Sequence, residues 1–163
     1  MSTNWVVYAC LACGLSSALV GGVFQSFSDF VMRGLLLAEP SGGMESMQQL
    51  NRTVFRSVFL TTFLALVPAT LAFAVYAWVR LSGTGRALIL AGAVIYVVFV
   101  FAVTAAGNVP LNEQLDTLGA TTPEGQTYWS TTYGRLWTWY NHVRTLGSVG
   151  AAACFLLAAV SFD

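Results

Sequence analysis

Lysine is absent, histidine occurs once, and charged residues of all kinds make up only 9% of this 163-residue chain. A soluble domain carries roughly a quarter charged residues, and 56% of this chain is hydrophobic. A water-exposed surface cannot be furnished from so few charges, which excludes an ordinary soluble fold. The seven arginines balance the seven acids, giving a formal net charge of zero. No basic stripe points to nucleic acid, and no acidic run makes a tail. The lone His142 cannot supply a two- or three-histidine metal site. Neither G-x-G-x-x-G nor a Walker loop occurs, and "GNVPLN" (107–112) is no phosphate cradle. The three cysteines, Cys10, Cys13 and Cys154, all lie in apolar blocks. "CLAC" (10–13) has redox-pair spacing, but a reactive thiol needs an electropositive, accessible setting. Nothing basic is near it in sequence, so Cys10 and Cys13 read as small packing residues, with thiol–quinone exchange as the alternative.

What is present is apolar sequence in four blocks, each long enough at about 20 residues or more to cross a bilayer. The expected fold is all-α and integral to the membrane: a four-helix transmembrane bundle forming a single domain over residues 1–163. The helices are expected at about 4–37, 44–81, 87–106 and 123–162. The N-terminal block lacks a basic region and exceeds a signal-peptide core, so it reads as a first span retained in the mature protein. Within it, Gly14, Ala18 and Gly22 recur every four residues, with Ser17 and Gly21 beside them. Such spacing lets helices approach closely in lipid. Asp29 and Arg33 are placed to pair on one face.

"AEPSGG" (38–43) ends the first helix. A second helix over 44–81, with a kink at Pro68, would be roughly 55 Å long, well beyond a hydrocarbon core of about 30 Å. Thr122, Pro123 and Glu124 make a strong helix start: a capping hydroxyl, proline at the first position and an acid in the first turn. The fourth helix is therefore about twice the spanning length as well. Both long connections fall on one side, so two long helices rise into a polar cap there. The opposite side holds only the N-terminus, the 80–86 turn and Asp163. Arg33, Arg52, Arg56, Arg135 and Arg144 belong to the cap, against Arg80 and Arg86 in the turn. Positive-inside counting then expects a cytoplasmic cap on a multi-pass protein of the bacterial plasma membrane.

In the cap, Tyr133, Trp137, Asn141, Arg144 and Ser148 form one helical stripe, with His142 about 100° away from Asn141. Gln48, Arg52, Phe55 and Phe59 form another. Arg52 and Arg56 are four apart and repel unless an acid lies between them, and Asp29, Glu45, Glu113 and Asp116 are the acids available to do so. Each ring alone could belong to an interfacial aromatic belt, and each arginine could snorkel. Asn51, Asn108, Asn112, Asn141 and Gln48 gathered at one level are harder to explain so, because amides near the apolar zone are costly unless paired. A polar cavity between helices accounts for all of them.

Four segments, "FSDFVMRGL" (27–35), "MQQLNRTVF" (47–55), "GNVPLNEQL" (107–115) and "WTWYNHVRT" (137–145), resemble in order and spacing the anthrone oxygenase-like family of small membrane proteins. Arg33, "FRSVF" (55–59) and Tyr140 depart from the usual pattern. The resemblance implies oxidation of an anthrone, or another flat phenolic substrate, to a quinone by molecular oxygen without a cofactor. In that reading His142 is the base. Arg144 and Arg52 hold the anion, while Asn141, Asn108, Asn112 and Gln48 orient it. Trp137, Trp139, Tyr140 and Phe55 supply flat walls. The expected partners are the bilayer and a small hydrophobic aromatic molecule, with a homo-oligomer or larger membrane complex as a further association. The alternative is a non-catalytic membrane subunit binding a quinone, haem or lipid, with His142 as an axial haem ligand.

Overall fold

The computed structural model describes residues 4–162, and every regular element in that range is helical. Helix α1 runs over Trp5–Leu37, α3 over Val58–Arg80, α4 over Gly83–Thr117 and α5 over Pro123–Val160. All four are long and apolar enough to cross a bilayer, and the chain is a multi-pass membrane protein. A shorter α2, Pro40–Thr53, lies in the cap between α1 and α3. Around the bundle, α5 packs against α1 and α4, and α3 packs against α4 and α1. Asp163, expected at the turn side, lies outside the described residues.

The close face of α1 differs in register from the expected one. Gly14, Ser17 and Gly21 are buried, whereas Ala18 and Gly22 are exposed. A Cβ on Gly14 would lie 2.8 Å from the Leu156 side chain, and one on Gly21 would lie 3.0 Å from the Ser148 Cβ. Gly22 has nothing within 4 Å of such an atom. The seam with α5 follows the i, i+3, i+7 row because that row, on a 3.6-residue helix, stays on one side.

The expected helix over 44–81 is two helices. After α2 the chain makes a 3-10 turn, Val54–Arg56, and Ser57 is extended at φ −98°, ψ 148°. The Ser57 hydroxyl donates to the Val54 carbonyl at 2.7 Å and accepts from the Leu60 N–H at 3.1 Å. These local bonds satisfy what a continuous helix would have satisfied and cap the start of α3. Beyond it α3 runs unbroken through Pro68. Conversely, the connection expected after residue 106 is largely helix. Helix α4 continues through two wide π-helical stretches, Tyr96–Ala102 and Thr104–Asn108, and carries Pro110 into a last helical piece ending at Thr117. The start of α5 is as expected, with Thr122 Oγ1 accepting from the Gly125 N–H at 3.1 Å.

Two apolar cores result. At membrane depth, Val20, Phe63, Phe73, Ile89, Tyr96 and Phe155 pack with small residues of α5. In the cap, Met32, Met44, Met47, Leu115, Trp129, Tyr133 and Trp137 form a second cluster under α2. Gln48 ties that cap together, its Nε2 donating to the Leu115 and Leu118 carbonyls at 2.8 and 3.0 Å. These carbonyls lie at the C-terminal end of α4, where the regular helical bonding runs out.

Candidate functional site

Between the two cores lies a cavity of about 640 Å³. Its walls are mainly apolar and come from every helix: Phe24 and Phe27 of α1, Met47 of α2, Phe59 and Phe63 of α3, and Trp137 of α5 among them. One face of α4 contributes Val109, Asn112, Glu113 and Asp116, spaced i, i+3, i+4 and i+7. Wide turns at Phe27–Val31, Thr104–Asn108 and Tyr128–Tyr133 flank this level, where π-turns displace one side of a helix and open room beside it.

Arg144 also lines the cavity although only 5% of its surface is exposed. Its guanidinium carbon sits 4.2 Å from the centroid of the Phe24 ring and 5.1 Å from that of Trp137. Both ring faces attract a cation. One Nη donates to Asn141 Oδ1, while Nε has no acceptor. Asn141 is fixed in turn, its amide nitrogen donating to the Phe24 carbonyl at 2.6 Å and to the Ser28 hydroxyl. No carboxylate pairs with Arg144 among the described residues, whose one ion pair joins Arg52 and Asp116 at 2.6 Å. A buried cation without a counter-ion costs several kcal/mol, which the two ring faces and Asn141 offset only in part.

A second polar group lies on the cap side. Asn112 Oδ1 accepts from the Tyr133 hydroxyl at 2.8 Å and from Trp137 Nε1 at 3.0 Å. The Asn51 amide donates to the same Tyr133 oxygen at 3.3 Å. The Asn112 carbonyl side is thereby committed to the protein, leaving its NH2 as the donor not engaged among the described residues.

The family model for anthrone oxygenase matches residues 52–154, well over half of the chain. The chain belongs to the anthrone oxygenase family. No curated protein and no solved structure matches it. The segment matched to the anthrone oxygenase family holds Arg52, Asn112, Glu113, Trp137 and Arg144, while Phe24 and Ser28 come from α1, outside it.

Of the residues expected at a site in this anthrone oxygenase family member, Arg144, Trp137, Asn112, Arg52 and Phe55 do line the cavity, and Asn141 braces Arg144 from behind. The others do not line the cavity. His142 is exposed on the outer face of α5, as the 100° offset from Asn141 requires, so neither a base nor a haem ligand at that position lies in the cavity. Trp139 is 64% exposed, the position of an interfacial anchor. The Tyr140 ring covers Gly107, where a Cβ would lie 2.8 Å from its Cγ. Asn108 is buried between α4 and α5, donating to the Trp137 carbonyl at 3.1 Å. Gln48 caps α4 instead of facing a ligand. Asp29 and Arg33 form no ion pair. Cys10 and Cys13 are free thiols packed in the membrane core.

Sequence reading gives Phe24 and Phe27 no role, and it brings in Glu113 and Asp116 only as acids available to the cap arginines; Asp116 does pair with Arg52. Their place at the cavity needs the apolar–amide–acid–acid face that α4 presents only when it is helical through Thr117.

Proposed function

We propose that the cavity takes up a flat, largely apolar anthrone-type or phenolic molecule, holds its anion on Arg144, and lets molecular oxygen convert it to a quinone. The observation that carries this reading is Arg144 itself: buried, between two rings, lacking an acidic partner, and facing a mainly apolar cavity. Such a site suits an anion whose charge is spread over a ring system, since its oxygen meets the guanidinium and its faces meet aromatic walls. An anthrone loses a proton from its central methylene and becomes a phenolate. Oxygen adds at that carbon, one new C–O bond forms, and loss of water leaves the second carbonyl. Anthrone and O2 thus give quinone and water, with no other oxidant consumed.

The chain's part is to shift the first equilibrium. Removing an electrostatic donor of this kind costs enzymes about a hundredfold to a thousandfold in rate. The test is oxygen uptake and quinone absorbance on adding dithranol, a model anthrone, to purified protein, with the protein-free rate subtracted. Uptake above that rate, lost in Arg144→Gln, is the expected result. Dithranol bound without oxygen uptake would overturn the catalytic reading and leave a ligand-binding membrane protein.

A further inference from the structure

We infer that Glu113 is the base that takes the substrate proton in this cavity, an inference that rests on the function proposed above. His142 lies outside the cavity, and among the described residues the carboxylates lining it are Glu113 and Asp116 alone. They are not equivalent. Asp116 is engaged, its Oδ1 accepting from Arg52 Nε at 2.9 Å and Nη2 at 2.6 Å. Glu113 has no ion pair or side-chain hydrogen bond among the described residues, so nothing competes with a substrate for its oxygens.

The helix puts Glu113 where the step needs it. On α4 it stands beside Asn112 on the face formed by Val109, Asn112, Glu113 and Asp116, while Arg144 belongs to α5. A flat ligand in the cavity therefore has a proton acceptor contributed by α4 and a cation contributed by α5. Asn112 is held in place by Tyr133 and Trp137, and its free NH2 sits next in sequence to the base.

The step balances without a further reactant. The methylene C–H bond breaks, the proton goes to a Glu113 carboxylate oxygen, and the electron pair moves through the ring to the phenolate oxygen. Negative charge thus leaves an exposed carboxylate and arrives beside the buried, unpaired Arg144. Burial of the cation favours this direction, because the new anion supplies the partner it lacks. Exposure of Glu113 serves the second half of the cycle: a protonated carboxyl in contact with water returns its proton to solvent before the next turnover.

The test separates proton removal from oxidation. Wild-type protein and its Glu113→Gln variant are incubated with dithranol in deuterated buffer without oxygen, and methylene exchange is followed by mass spectrometry. Wild type is expected to accelerate exchange over buffer. Glu113→Gln is expected to slow it at least tenfold, with melting temperature and dithranol affinity unchanged, and Glu113→Asp to recover part of the rate. Added formate should restore exchange in Glu113→Ala, which a merely structural role of Glu113 would not produce. Exchange at the wild-type rate in Glu113→Gln would overturn the assignment, while persistent oxygen uptake would leave the proposed function standing. Wild-type protein that accelerates neither exchange nor oxygen uptake would overturn both.

Discussion

Helix α5 packs in two different ways along its length. Towards its C-terminus it buries Gly147, Ser148, Ala151, Ala152 and Ala158 against neighbours that come very close. Towards its N-terminus it buries Trp129, Tyr133 and Trp137, stacked in sequence with ring centroids 5.4 and 6.4 Å apart. The surroundings explain the contrast. In lipid, apolar bulk gives no drive for one helix to find another, so small residues and close backbones must hold the bundle. In the cap, large rings bury area from water and their polar ends find partners, as the Tyr133 hydroxyl and Trp137 indole do on Asn112. Asn141 and Arg144 stand at the changeover, where the row of small residues has ended and the stacked rings stop at Trp137. The cavity is the result.

The membrane half should be the less forgiving of added bulk. A Cβ on Gly147 would lie 2.9 Å from Phe99 Cβ and 3.2 Å from the Phe99 carbonyl carbon, a contact with backbone that cannot swing aside. Gly147→Leu is expected to destabilise by about 3 kcal/mol or more, the upper part of the overpacking range. Thermal unfolding in detergent reads this, with Gly22→Leu on the open face of α1 as the control expected to change little. Equal losses in both variants would mean that the α1–α5 and α4–α5 seams do not decide stability.

At the changeover the expected effect is somewhat smaller. Asn141→Leu removes the acceptor of Arg144 and the donor to the Phe24 carbonyl and Ser28, leaving buried groups unpaired. A loss of roughly 2 kcal/mol is expected, with weakened dithranol binding. Unchanged binding would show that the orientation of Arg144 does not depend on Asn141.

How far these two regions were legible beforehand differs in the same way. The stripe Tyr133, Trp137, Asn141, Arg144 and Ser148 is buried in full, because helical periodicity alone decides which face turns inward. The four spans, the long fourth helix and the Thr122 cap follow from length and end signals. What periodicity could not supply is where a helix is interrupted. Ser57 ends one helix and starts another by two side-chain bonds, although a serine ahead of an apolar run is a recognised start signal. The wide turns of α4 leave no sequence mark, and through them the span continues into the helical piece at Pro110 that carries Asn112, Glu113 and Asp116 to the cavity. His142 has the chemistry of a base, but its place on the helical wheel, about 100° from Asn141, turns it out of the cavity.

The smallest effect belongs to the cap surface. Arg52 and Asp116 are each about half exposed, so Asp116→Asn should cost under about 1 kcal/mol, and less at high salt. Equilibrium unfolding at two ionic strengths checks it; a loss several times larger, insensitive to salt, would make the pair a true brace between α2 and α4.

The most direct measurement compares Arg144→Met with wild type for both melting temperature and dithranol affinity without oxygen. On the proposed reading Arg144 waits for an incoming anion and its desolvation is a burden on the empty protein, which an apolar side chain of similar length removes. The expected result is a melting temperature equal to or above wild type, together with at least a tenfold loss of affinity. A variant that melts far lower yet binds dithranol as tightly would show that Arg144 holds the fold and not the ligand.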